Sequence, residues 1–179
     1  GATLQTGIGG IPSTVVGLLA NGDGGDYGIH SEMFTTGLMQ LHQAGKVANR
    51  KGLYDGYSVT TFAAGTAELY SWLDGNDLVR FLPVELVNSP ELIAQNRHMV
   101  CINGAVAVDL AGQVIADTVR GAQYSGIGGH EDFNAPSGLD AYDRSLICLP
   151  SSVDKPEGRV SRIVANFPEG SIVTTPRHQ

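Results

Sequence analysis

The feature that most constrains this chain is a near-regular alternation of strand-like and helix-like stretches through its first half. Thr3-Leu4-Gln5 reads as a short strand and Gly7-Ile8-Gly9-Gly10 as a turn. Pro12 suits a first helical turn, which Ser13 to Ala20 continue until Asn21-Gly22 stops it. Tyr27 to His30 is strand-like, and a helical stretch runs from Phe34 to Ala44 with Gly45 as its C-cap. Ser58 to Phe62, β-branched and aromatic, reads as a strand. Thr66 to Leu73 has helical spacing closed by Gly75, and Val79 to Val84 is again a strand. Ser89-Pro90-Glu91 then opens a short helix as N-cap, N1 and N2. Parallel strands need a crossover between them, usually a helix, so this rhythm predicts βαβ units and a parallel sheet.

The second half changes character. Met99 to Val108 and Gln113 to Val119 read as strands joined in a hairpin around Ala111-Gly112. Ser145 to Leu149, Arg162 to Asn166 and Ser171 to Thr175 read as short strands with few helical patterns between them. The expected fold class is α/β: an open sheet, largely parallel, with antiparallel strands added in the second half. Asp23 to Asp26 and Asn134 to Asp143 are polar, glycine-bearing loops, and neither repeat nor interdomain linker interrupts the pattern. A length of 179 residues suits one domain. The sequence stops at Thr174-Thr175-Pro176 and a short polar tail, directly after a strand, so a piece of a larger protein is expected.

Composition removes several function classes. Hydrophobic residues at 42% with only 16% charged residues exclude a disordered chain. No apolar run approaches the ~18 residues of a membrane-spanning helix, and a net charge of −7 lacks the footprint of a nucleic-acid binder. Cys101 and Cys148 each sit in an apolar stretch and read as buried, reduced thiols, which points to a reducing, cytoplasmic setting. The 24 glycines are nearly twice the usual ~7% share, an excess that suggests loops turning sharply or touching a ligand.

Two glycine-rich loops carry most of that promise, Gly7-Ile8-Gly9-Gly10 and Ser125-Gly126-Ile127-Gly128-Gly129. The first follows a strand and opens a helix, where free N–H groups favour an anion; it is no dinucleotide fingerprint, because Pro12 stands where the last glycine is needed. Consecutive N–H groups of the second could form an oxyanion nest. A plain turn competes with both readings. His30-Ser31-Glu32 has the H-x-E of zinc deaminases, but the two cysteines are far apart and no other ligand spacing exists among the five histidines, so no metal is expected. The G-x-S-x-G of a serine hydrolase is missing too. Glu32 lies after a strand and before a helix, where open α/β sheets place ligands; a carboxylate favoured by the helix dipole is the plainer account.

Read together, three ordered words resemble the acetyl-CoA hydrolase/transferase family of class I coenzyme A transferases. They are Leu4-Gln5-Thr6-Gly7-Ile8-Gly9-Gly10-Ile11-Pro12, Gly28-Ile29-His30-Ser31-Glu32-Met33-Phe34, and Ser125-Gly126-Ile127-Gly128-Gly129-His130-Glu131-Asp132-Phe133. Val87-Asn88-Ser89-Pro90, Ile93 to Asn96, Ile102-Asn103-Gly104-Ala105 and Ser161 to Val164 are similar to family segments as well. The likeness covers essentially the whole chain and is nearest to the 4-hydroxybutyrate CoA-transferase branch.

This resemblance implies a three-layer α/β/α open sheet of the CoA-transferase type. It implies that residues 1–179 are most of a C-terminal domain, with the N-terminal domain and the extreme C-terminus outside the chain, so that the isolated piece can fold yet lack activity. It makes Glu32 the nucleophile of a ping-pong exchange between an acyl-CoA and a short-chain carboxylate such as 4-hydroxybutyrate or acetate, through a glutamyl-CoA thioester. Oxyanion and CoA contacts fall on Gln5, Gly7, Ile8, Gly9, Gly10, Ile11, Asn103, Gly126, Gly128 and Gly129, while His130 stands where relatives often carry glutamine. Coenzyme A is then substrate and covalent intermediate, with no permanently bound cofactor. Partners are the N-terminal domain and, in some assembly, further copies of the protein. Two alternatives remain, an acyl-CoA hydrolase and a catalytically silent CoA-binding domain.

Overall fold

All four residues of the first strand, β1 (Thr3–Thr6), are buried, as a central parallel strand covered on both faces requires. In the computed structural model, which describes residues 1–119, 121–136 and 140–175, the chain passes from β1 through the first glycine loop into α1 (Gly10–Asn21). The helix begins at Gly10, two residues before Pro12, which lies in its first turn as expected, where the missing N–H costs nothing. The next stretch forms β2 (Gly28–Ile29), β3 (Met33–Thr35) and α2 (Thr36–Gln43), the last capped by the Thr35 hydroxyl, which accepts the Leu38 N–H at 3.3 Å.

The strand expected over Ser58 to Phe62 is divided into β4 (Ser58–Thr60) and β5 (Phe62–Ala64), with a bend at Thr61. After α3 (Ala67–Leu73), strand β6 (Val79–Phe81) ends short of the expected Val84. Pro83 has no N–H to continue the ladder and instead precedes α4 (Val84–Val87). Ser89 caps α5 (Pro90–Ile93) with Pro90 in its first turn, as its sequence signature predicts.

In the second half, the two long expected strands are each divided, into β7 (Met99–Gly104) and β8 (Ala107–Asp109), then β9 (Val114–Ile115) and β10 (Thr118–Val119). Strand β11 (Ala122–Gln123), the short helix α6 (His130–Asn134) and β12 (Arg144–Cys148) follow. The last strands are β13 (Ser152–Lys155), β14 (Gly158–Ser161) and β15 (Ile163–Val164). Helix α6 and the β13–β14 hairpin were not legible, each being too short to show a period. Ser171 to Thr175 is not a strand: only Thr175 bridges Val114, because the Thr174 hydroxyl takes the neighbouring Ala116 and Asp117 N–H groups in place of a ladder. Part of the loop expected over Asn134 to Asp143, and Pro176, lie outside the described residues.

The architecture is mixed α/β. The main sheet has the order β12-β7-β1-β2, all parallel, and the His30–Val59 bridge carries it on to β4 and β6. Antiparallel pairing is confined to the second half, in β8–β9, β10–β11 and β13–β14. Two cores cover the sheet. Leu4 and Ile29 join Val16, Phe34, Leu38, Met39 and Leu69, so α1, α2 and α3 pack on one face. Met99 and Cys101 join Val87, Ile93 and Phe133 from α4, α5 and α6. Within β7, Val100 packs with the first cluster while its neighbours pack with the second, the period-two alternation of a strand between two helical layers. Among the described residues no helix is long and apolar enough to cross a membrane.

Candidate active site

Glu32 occupies the break between β2 and β3, at the carboxyl end of the parallel sheet, where such sheets open their ligand crevices. Up to His30 the chain is hydrogen-bonded to β1, through the His30 N–H to the Leu4 carbonyl at 3.1 Å. After it, Ser31 donates its N–H to Val59, and the Glu32 carbonyl accepts the N–H groups of Thr61 at 2.9 Å and Phe62 at 3.3 Å. This change of partner frees the Glu32 side chain from the sheet. Its Oε2 accepts the Gly129 N–H at 2.9 Å, joining positions 97 residues apart.

Gly129 is required there by space. A Cβ would stand 2.5 Å from Glu32 Oε2 and collide with the Asn88 amide nitrogen. Gly7 is equally confined, since a Cβ would lie 2.7 Å from Asn103 Oδ1. That oxygen accepts from Gln5 Nε2 at 2.9 Å, and Asn103 Nδ2 returns a bond to Gln5 Oε1 at 3.1 Å. The reciprocal pair locks two buried amides at the ends of β1 and β7, leaving each with unused hydrogen-bonding capacity.

A cavity of about 350 Å³ gathers these groups. Gln5, Gly7, Ile8, Glu32, Asn103, Gly126, Gly128 and Gly129 line it. Gly9 is not among them; it lines a neighbouring cavity of about 500 Å³ between the first glycine loop, α1 and α2. Gly10 and Ile11 line neither, because they already belong to the first turn of α1. The wall is completed by residues that sequence reasoning did not assign, including Thr6, Met33, Phe62 and Asp117. Asn88 was also missed as a neighbour: its amide packs against Gly129 and donates to Asp132 Oδ2 at 3.3 Å. Only its presence in a family-like segment hinted at a role.

His30, two residues before Glu32, is fully buried. Its Nε2 lies 2.7 Å from the Val87 carbonyl, which can only accept, so Nε2 carries the hydrogen and Nδ1 accepts from Asn96 Nδ2 at 3.0 Å. Burial foremost holds its pKa down to about 4, with Lys51 adding to the effect, so the ring stays neutral. Its edge meets Phe133 of α6 at 6.1 Å, tying the Glu32 segment to the helix that follows Gly129. The backbone of Asp117 holds the second glycine loop by accepting the N–H groups of Tyr124 and Ser125. Its carboxylate accepts a hydrogen bond from the Thr174 hydroxyl. Among the described residues, no three His, Cys, Asp or Glu side chains are placed to hold a metal ion.

Comparison with known proteins gives one consistent result. Residues 65–179 match the family model of the acetyl-CoA hydrolase/transferase C-terminal domain. The whole chain is 42% identical to the 4-hydroxybutyrate coenzyme A transferase of Clostridium kluyveri, covering 41% of that protein. It is 41% identical to the succinyl-CoA:acetate/propanoyl-CoA:succinate CoA transferase of Fasciola hepatica, over 99% of this chain and 37% of the relative. The crystal structure of RipA from Yersinia pestis superposes with a TM-score of 0.89 at 41% identity, over 99% of this chain and 39% of that one. The chain thus spans about two fifths of the length of the curated relatives it matches. With the parallel sheet, the glutamate at its carboxyl edge and the match of more than half the sequence in hand, the chain belongs to the acetyl-CoA hydrolase/transferase family.

Proposed function

We propose that residues 1–179 are the nucleophile-bearing C-terminal domain of a longer acyl-CoA:carboxylate CoA-transferase. The observation that carries this reading is the Glu32 carboxylate, exposed to the cavity and held at Oε2 by the Gly129 N–H between two glycine loops. A binding module has no need of a carboxylate beside a phosphate-rich ligand, whereas covalent exchange requires one.

In the proposed cycle, a Glu32 carboxylate oxygen attacks the thioester carbon and the CoA thiolate departs, leaving an acyl-glutamyl anhydride. The thiolate then attacks the Glu32 carboxyl carbon, expelling the first carboxylate and forming a glutamyl-CoA thioester. An incoming carboxylate attacks that same carbon to give a new anhydride and free thiolate. Attack of the thiolate on the new acyl carbon releases the new acyl-CoA and restores Glu32. Each addition places negative charge on a carbonyl oxygen. The Gly129 N–H is oriented to stabilise it when it arises on Glu32, and preorganised donors of this kind are typically worth ~3–4 kcal/mol each. Short-chain carboxylates of the 4-hydroxybutyrate and acetate class are the proposed acids, and the N-terminal domain is proposed to close the cavity against water.

The test uses the intact protein with acetyl-CoA and borohydride, followed by mass spectrometry of the Glu32 peptide. The expected result is reduction of Glu32 to the alcohol. Unmodified Glu32 during demonstrated turnover would overturn the assignment. Exchange of labelled carboxylate into acyl-CoA, faster than net thiol release, distinguishes transfer from hydrolysis.

A further inference from the structure

The backbone carbonyl of Glu32 is oversupplied with donors. Besides the N–H groups of Thr61 and Phe62, it lies 2.9 Å from the Thr60 hydroxyl and 2.9 Å from the Thr61 hydroxyl. A carbonyl oxygen offers two lone pairs, and a regular parallel ladder supplies it with a single N–H. The two hydroxyls are not equivalent. Thr60 has one proton and stands equally near the Phe62 carbonyl, at 3.0 Å, so its donation is divided. The Thr61 hydroxyl meets no other acceptor among the described residues.

We propose that Thr61 is a positioning residue for Glu32, acting through the Glu32 backbone carbonyl; the proposal rests on the reading of Glu32 as nucleophile. Its hydroxyl fixes the peptide that follows Glu32 at the point where the strand changes partners. With that peptide fixed, the side chain leaves toward the cavity, where Gly129 holds its far end at 2.9 Å. Glu32 is thereby gripped at both ends, with only its side-chain torsions between. Attack on a thioester carbon requires the reacting atoms to meet at about 3–3.5 Å, and a misplacement of about 1 Å can cost on the order of 10²-fold in rate. Glu32 would also carry the whole CoA body during the covalent intermediate, so a firm backbone anchor keeps the carboxyl carbon aligned for the return step. Thr61 does not line the cavity and touches no reacting atom.

The experiment compares Thr61→Val, Thr61→Ser and Thr61→Ala in the intact protein. It measures kcat, KM for acyl-CoA, the single-turnover rate of borohydride-trapped Glu32 and the melting temperature. Thr61→Val is expected to lower kcat and the trapping rate together by roughly 10- to 100-fold, with KM changed less than about twofold. Thr61→Ser, which keeps the hydroxyl, is expected to recover most of that loss. Equal kcat in the Ser and Ala variants would overturn the proposal even if the Val variant fails to fold, because those two differ by the hydroxyl alone. A folded Thr61→Val protein with kcat within about twofold of the parent would overturn it as well. Glu32→Ala separates the two levels. Retained turnover there removes the nucleophile reading and this inference with it, whereas loss of turnover with normal Thr61 variants removes this inference alone.

Discussion

Adding one methyl group at Gly129 tests the donor geometry directly. The new Cβ would sit 2.5 Å from Glu32 Oε2 and 3.1 Å from its carboxyl carbon, with the Asn88 amide equally in the way. Ordinary contact begins near 3.4 Å, so the carboxylate must retreat by roughly 0.9 Å. Starting from 2.9 Å, that movement breaks the bond to the Gly129 N–H. Loss of a hydrogen bond to a charged acceptor costs about 1.5–3 kcal/mol in the ground state, and overpacking adds about 1–3 kcal/mol to the loss of stability. Under the proposed mechanism the missing donor is worth ~3–4 kcal/mol in the transition state, so kcat is expected to fall by roughly 10²–10³. The assay is steady-state CoA transfer by Gly129→Ala in the intact protein, with a melting curve to establish folding. A folded variant retaining kcat within about threefold would refute this account of the Gly129 N–H.

Two further outcomes follow from the same structure. His30 has a pKa of about 4 in the fold against 6.5 in an open chain, so between those values the unfolded chain binds the additional proton and stability rises with pH. The contribution is complete above pH 6.5 and is lost on acidification toward pH 4. It amounts to roughly 3 kcal/mol, with His42, whose pKa burial also lowers to about 4, adding an effect of the same sign. Urea unfolding of the intact protein across that range should show the slope, and a slope unchanged by His30→Gln would refute the assignment. Thr174→Val should cost about 2–4 kcal/mol in denaturant unfolding. It strands the N–H groups of Ala116 and Asp117 and removes the donor to the buried Asp117 carboxylate; a loss below about 1 kcal/mol would show that these groups find other partners.

The layered, parallel architecture and the neighbourhood of the site are legible in the order of the residues. Helical and strand periods alternate through the first half, and a parallel crossover leaves few other solutions. The three glycine- and glutamate-bearing words carry local requirements: a turn after β1, a carboxylate at a strand end, and a loop without side chains at Gly128 and Gly129. Their family resemblance named Glu32 and seven of the residues that share its cavity, together with Gly9, Gly10 and Ile11, which do not line it.

The divisions of the strands and the long-range contacts arise only in the folded chain. Ser58 to Phe62 has strand propensity throughout, yet it breaks at Thr61 because the Glu32 carbonyl, 29 positions earlier, captures the Thr61 N–H and hydroxyl. Val84 has the residue type of a strand, but Pro83 ends the ladder and a helix follows. The pairing of Gln5 with Asn103, the neutrality of His30 between Val87 and Asn96, and the bond from Gly129 to Glu32 join residues 57 to 98 positions apart. Local propensity contains no information about such partners. They exist only once the two hydrophobic faces of the sheet have been covered and the strand ends brought into register.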